Sequence, residues 1–217
     1  MPAVVCREGS ALTASFELVA GRLCLDFVNT VSERPPGPAT REDLGDYARL
    51  LQWGLEAGAL TTRGAQALAR AAAAEPRRAQ RALADAIALR ERLHRLFSAT
   101  IDRRPPDLDD LEHFSAALAA VLARRRISWH RQRYAWEWPG AQNDLASVLW
   151  PVLLSAQELL CSDDHSRLGA CSPPDGCGWL YFDTSKNRSR RWCSMETCGN
   201  SAKARRHYAR QRSTRSR

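Results

Sequence analysis

The chain has no apolar stretch long enough to cross a membrane. The longest, Ala116 to Ala123, is eight residues, and Val148 to Leu154 is seven, against the roughly 20 that a spanning helix needs. Met1 to Ser10 have neither the basic start nor the apolar run of a secretory leader. The expected location is therefore cytoplasmic, with no membrane partner. The sequence also lacks a nucleophile elbow, a phosphate loop and an HExxH helix. His94, His113 and His130 stand isolated, so the chain reads as a non-enzyme. It has no internal repeats. Three of its seven cysteines, Cys6, Cys24 and Cys161, are scattered singly, which is not the pattern of a disulfide framework.

The other four are concentrated near the C-terminus. Cys171 and Cys177 form one close pair, Cys193 and Cys198 another, with fifteen residues between the pairs. Two pairs of thiols can reach the four corners of a tetrahedron, which is how structural zinc sites made of four cysteines are built. The segment around them is too small and polar to bury a core of its own, so one structural Zn²⁺ is expected to supply folding free energy. Cys161 and His165 lie just upstream as rival ligands, but Cys161 ends an apolar helix and reads as core. No coordination position is left for water, so the site is read as structural rather than catalytic.

Charge follows the same division. Residues 171–217 hold eleven Lys/Arg against three Asp/Glu, whereas residues 1–170 hold 21 of each. The formal excess of +8 thus lies entirely in the last fifth of the chain and points to a polyanionic partner.

The expected fold is mostly α with small β elements: a helical domain over 1–165 and a finger over 166–217. Phe16 to Val31 reads as a strand, a turn at Gly21-Arg22, and an apolar run whose type periodicity leaves open. Helices are expected after a cap at Thr40 with Asp43, over Thr62 to Ala74, from Pro76 to about Ala99, and over Asp107 to Arg124. Residues 127–138 alternate with period 2, which predicts an antiparallel hairpin. Asn143 to Leu160 reads as an apolar helix kinked at Pro151. In the finger, Pro173-Pro174-Asp175-Gly176 supplies a turn, Gly178 to Asp183 a strand, and Ser185-Lys186-Asn187 a second turn. Arg190-Arg191-Trp192 then leads back to Cys193. A helix capped by Ser194 follows and carries the last two ligands in its first turn. This order of knuckle, hairpin and helix resembles a treble-clef finger.

Cys177-Gly178-Trp179-Leu180, Asp183, Ser185-Lys186-Asn187, Ser189 to Met195 and Cys198-Gly199-Asn200 resemble the CGNR-type zinc finger. Two departures stand out: Ser201 occupies the signature's arginine position, and the first cysteine pair encloses five residues rather than four. Upstream, Leu23 to Thr30 and the Leu50-Leu51-Gln52-Trp53 segment are similar to the ABATE domain that precedes this finger. The resemblance implies a family of stress-induced transcription regulators and a zinc-dependent DNA-binding role.

On that reading Lys203, Arg206 and Arg210 form a basic stripe on the last helix, flanked by Arg205, with Asn200 and Arg205 as base readers. Lys186, Arg188, Arg190 and Arg191 form a second basic cluster. The expected partner is duplex DNA; an RNA-binding or protein-interaction adaptor is the alternative. Trp179, Tyr181 and Trp192 are read as the finger's small core rather than as stacking platforms for unpaired bases. The neutral domain is expected to sense a small effector or to make a homodimer. Asp26, Asn29 and Thr30 are its candidate effector site, against the reading that they cap a helix and satisfy buried backbone. Trp129, Trp136, Trp138 and Trp150 are read as core rather than as a pocket wall.

Overall fold

A computed structural model of the chain describes residues 15–32, 34, 41–171 and 176–215. The Thr40 cap and the Pro173-Pro174-Asp175 turn lie outside these residues. The first element, α1 (Leu23–Val28), is short and apolar on nearly every side. It therefore sits in the middle of the core, with Cys24, Leu25, Phe27 and Val28 fully enclosed. The open question over this run is settled as helix. Phe16 to Ala20 form no strand; Ala20 instead accepts a backbone bond from Phe182.

A two-residue ladder, β1 (Val31–Ser32) on β2 (Arg41–Glu42), leads to α2 (Tyr47–Glu56). Asp46 caps α2 by accepting from the Arg49 amide. Next come α3 (Thr62–Ala74), capped by Thr61, and the long α4 (Pro76–Ile101), with proline in its first turn. The Pro105-Pro106 break separates α4 from α5 (Leu108–Arg124), which Asp107 caps. Each helix turns one stripe inward, and Trp53, Leu68, Leu93, Phe97 and Phe114 meet there with α1.

The period-2 segment forms an antiparallel hairpin, β3 (Arg126–His130) with β4 (Arg133–Glu137). Its burial differs from expectation. Trp138 and Trp150 pack together at 5.9 Å between ring centroids, but Trp129 and Trp136 stay more than half exposed. Alternation fixes which residues share a face, not whether that face is covered.

The helix expected from Asn143 begins later. Tight single turns occupy Ala141–Asn143 and Leu145–Leu149, and α6 runs over Trp150–Cys161. Pro151 stands in the first turn, where no backbone donor is needed, so it starts the helix instead of kinking it. A turn over Asp163–Arg167 then leads to β5 (Leu168–Ala170), which pairs antiparallel with β6 (Leu180–Phe182). Leu180 and Phe182 are buried in the same core as α1. The last element is α7 (Asn200–Arg215).

Candidate functional site

Cys171 immediately follows β5 and Cys177 shortly precedes β6. The hairpin therefore carries the first thiol pair at its open end, where the Cys171 amide donates to the Trp179 carbonyl and Gly178 donates back to Cys171. Gly178 is required there. Its φ is +79°, and a Cβ on it would fall 2.1 Å from the Arg34 carbonyl oxygen. Arg34 is held against the knuckle by its amide, which donates to the Cys177 carbonyl at 2.8 Å.

The second pair is placed by a different device. The sequence suggested that the strand through Tyr181 returns as a hairpin to Arg190–Trp192. The chain forms no strand there, and β6 pairs upstream with β5 instead. The cause is the side chain of Asp183, which accepts from the amides of Ser185 and Arg190 at 2.8 and 2.9 Å. Those amides are thereby taken out of any ladder, and the segment closes as a loop. Cys193 follows, Ser194 caps the next turn through the Glu196 amide, and one wide turn over Met195–Gly199 carries Cys198 into α7.

The four sulfurs all lie within 4.8 Å of one another. Cys177 Sγ is 3.4 Å from Cys193 Sγ, which is 3.6 Å from Cys198 Sγ. A tetrahedron of thiolates about 2.3 Å from a central zinc has edges of about 3.8 Å, whereas a disulfide would bring two sulfurs to about 2.0 Å. The spacing fits a dication. So do the electrostatics. Contact with Cys177 and Cys193 pulls the Cys171 thiol far below its ordinary range. The reciprocal contact with Cys171 pushes Cys177 up to about 12 and raises Cys193 as well. One thiolate thus opposes its neighbours' ionisation, and a divalent cation relieves that opposition. Cys161 is exposed at the end of α6 and lies outside the cluster; His165 bonds the Ser162 carbonyl.

Residues 21–163 match the model of the ABATE family, described as "putative stress-induced transcription regulator", and residues 167–211 match that of the CGNR zinc finger. The chain belongs to the ABATE family. No curated protein matches it. The cysteine cluster is the finger's site for one structural zinc ion.

The ABATE domain and the CGNR finger share more than a linker. Asn29 clamps β6, donating to the Leu180 carbonyl at 2.8 Å and accepting from the Leu180 amide at 3.0 Å. Trp179 Nε1 donates to the Val31 carbonyl at 2.7 Å. Arg34 links Cys177 to α4 through a two-pronged pair with Glu91, at 2.7 and 2.9 Å. Beside it the buried Arg90 grips Glu42 with two bonds and caps the Thr30 carbonyl. No local sequence pattern marks this network, since its members lie up to 151 residues apart.

Asp26, Asn29 and Thr30 all line a cavity of about 660 Å³, whose wall also includes Trp179, Cys177 and Cys198. Two of the three already have structural work. Asn29 holds β6, and the Thr30 hydroxyl donates to the Phe27 carbonyl. Asp26 differs: one carboxylate oxygen accepts from the Ala20 amide, and burial pushes its carboxyl up to about 6.

Lys186, Arg188 and Arg191 are exposed on the 184–191 loop, and Asn200, Lys203, Arg205 and Arg206 are exposed on α7. The Asn200 amide group bonds the Glu196 carbonyl. Arg210 lies on α7, with its side chain outside the described residues. Ser201 is exposed on the first turn of α7. Arg190 corrects the sequence reading. Its guanidinium turns inward and donates to the carbonyls of Val19, Phe182, Trp192 and Cys193. An arginine so engaged positions the loop and is withdrawn from an outer phosphate surface. Tyr181 is buried, with its hydroxyl on the Arg190 carbonyl; Trp179 and Trp192 pack on the same small cluster.

Proposed function

We propose that the chain is a zinc-dependent DNA-binding regulator of transcription. The zinc site presents the 184–191 loop and α7 to duplex DNA as one surface. The observation that carries this reading is the attachment of both cationic segments to one cysteine cluster. Cys193 ends the loop, Cys198 enters α7, and the two sulfurs are 3.6 Å apart. With Arg190 turned inward, Lys186, Arg188, Arg191, Lys203, Arg205 and Arg206 remain as candidate phosphate ligands. Phosphate contacts set affinity and register, and Asn200 and Arg205 on the helix are the candidate base readers.

The domain adds ligand sensing. Support for it is the cavity between α1 and the zinc ligands, with the Asp26 carboxyl in its wall. A small molecule bound there lies against both bodies and biases the finger's position if it binds one arrangement better than another. The surface reading is tested by titrating zinc-loaded protein into labelled random duplex at several salt concentrations. Neutralising about five phosphates predicts a slope of log affinity on log salt of about −4 to −5. Replacing Lys203 and Arg206 by alanine should reduce that slope by about 2. A flat salt response, or an unchanged slope in the variant, contradicts the proposal.

A further inference from the structure

The β3–β4 hairpin leaves one face uncovered. Ile127 pairs with Trp136 and Trp129 with Tyr134. Paired residues, and residues two apart on a strand, point to the same side, so these four form one continuous apolar face. They are 63, 54, 58 and 76 % exposed, in that order. The opposite face carries Ser128 and Ala135, which are half-buried. An exposed apolar patch of this kind marks an interaction surface.

Charge selects the partner. Arg125 stands at one end of the ribbon, its guanidinium 4.3 Å over the Trp136 ring. Arg131 stands at the exposed tip; Arg126, whose guanidinium donates to the Ala123 and Arg125 carbonyls, and Arg133 are exposed on the opposite face with Ser128 and Ala135. The one carboxylate on the strands, Glu137, is bound by His130 at 2.7 Å. The tip itself is unusual. Arg131 and Gln132 both take positive φ, 46° and 62°, in a two-residue turn that favours Asn-Gly. A cation is therefore kept at the tip in a backbone conformation that glycine adopts at lower cost. A second copy of the chain would bring like charges together. A partner offering negative charge and flat rings matches both features, and duplex DNA keeps its ring faces stacked inside.

We propose that the β3–β4 hairpin binds an unpaired stretch of DNA, with bases on Trp129, Tyr134 and Trp136 and phosphates on the flanking arginines. Aromatic side chains that take successive bases, set in a cationic surround, are the general means of holding single strands. The site uses none of the finger's cations, so it stands or falls separately from the duplex reading.

The test uses the full zinc-loaded chain and a thymidine single strand of about twelve nucleotides, enough to cover one such platform. Binding is followed by anisotropy of a label on the strand and by quenching of tryptophan emission. The wild type should bind with quenching. Trp129→Leu with Trp136→Leu, which keeps the face apolar, should weaken the single strand by about tenfold or more and leave duplex affinity within about twofold. Arg131→Gln should lower the salt slope for the single strand by about 1. The Lys203→Ala, Arg206→Ala variant should weaken duplex binding and keep the single strand. Unchanged single-strand binding in the leucine variant overturns the proposal. So does a dimer in light scattering that the leucine variant converts to monomer, which would assign the face to self-association. A preference for uridine RNA of the same length by about tenfold or more would overturn the assignment to DNA.

Discussion

At the scale of single residues, the same chemical type is put to opposite uses within a few positions. Arg190 is half-buried, its guanidinium among four carbonyls, while Arg191 faces solvent. Asn29 and Asp26, three apart, face one cavity, yet Asn29 is consumed by the Leu180 backbone and Asp26 keeps a carboxyl that burial pushes up to about 6. That shift has a definite sign. The folded state holds the Asp26 proton more tightly than the unfolded chain does, so the ionised form opposes folding. The associated stability is present below about pH 4 and is lost as pH rises to about 6. Asp26→Asn should therefore be more stable than wild type at pH 7 by about 1 to 2 kcal/mol and about equal to it near pH 4. Urea unfolding at both pH values checks this. A variant less stable than wild type at pH 7 would show that the carboxylate makes a favourable contact there. Glu91 has the opposite sign: burial opposes its charge, but Arg34 and Arg90 outweigh it and hold the carboxyl down at about 2, so its contribution is lost only in acid. Comparing the two proteins at each pH removes that background.

At the scale of elements, the sequence is most legible where local signals agree. Helix α3 begins and ends where the Thr61 cap and the alanine run place it, because nothing beyond the segment is needed to specify it. The β3–β4 pairing is equally plain from its alternation. The two cysteine pairs are legible because metal ligation constrains spacing along the chain. Less legible are the features decided by distant partners. Pro151 reads as a kink until the tight turns before it show that the helix has not yet begun. The partner of β6 is hidden because Asp183, a side chain, removes the amides of the alternative strand. Exposure of Trp129 and Trp136 cannot be read from a pattern that treats both faces alike.

One element end carries a stability prediction. After α4, Arg103 takes φ 54° and donates its amide to the Thr100 carbonyl, while the Arg104 amide reaches Ala99. This is the double-bonded helix stop that glycine favours. Arg103→Gly should raise stability by about 0.5 to 1 kcal/mol, read as a shifted urea midpoint with unchanged slope. A loss of stability would mean that the arginine side chain contributes more than the left-handed backbone costs.

At the scale of the whole molecule, the finger is not a bead on a string. Its second strand places Leu180 and Phe182 in the domain's own core, and Asn29, Arg34 and Trp179 add polar ties across the joint. The sequence suggested that metal alone would stabilise so small a segment. The structure divides that task between the cysteine cluster and the burial of β6. The division gives a regulator a physical connection between its two parts: the cavity beside Asp26 is bounded by α1 on one side and by the thiols that position α7 on the other.

The account depends most on a cation in that cluster. Zinc content of the purified full-length chain, measured by atomic emission together with thiol titration under native conditions, tests it directly. The account predicts one zinc per chain, with Cys171, Cys177, Cys193 and Cys198 protected from the thiol reagent until a chelator removes the metal. Protein that carries no zinc, or whose four thiols react freely with zinc bound, would contradict it.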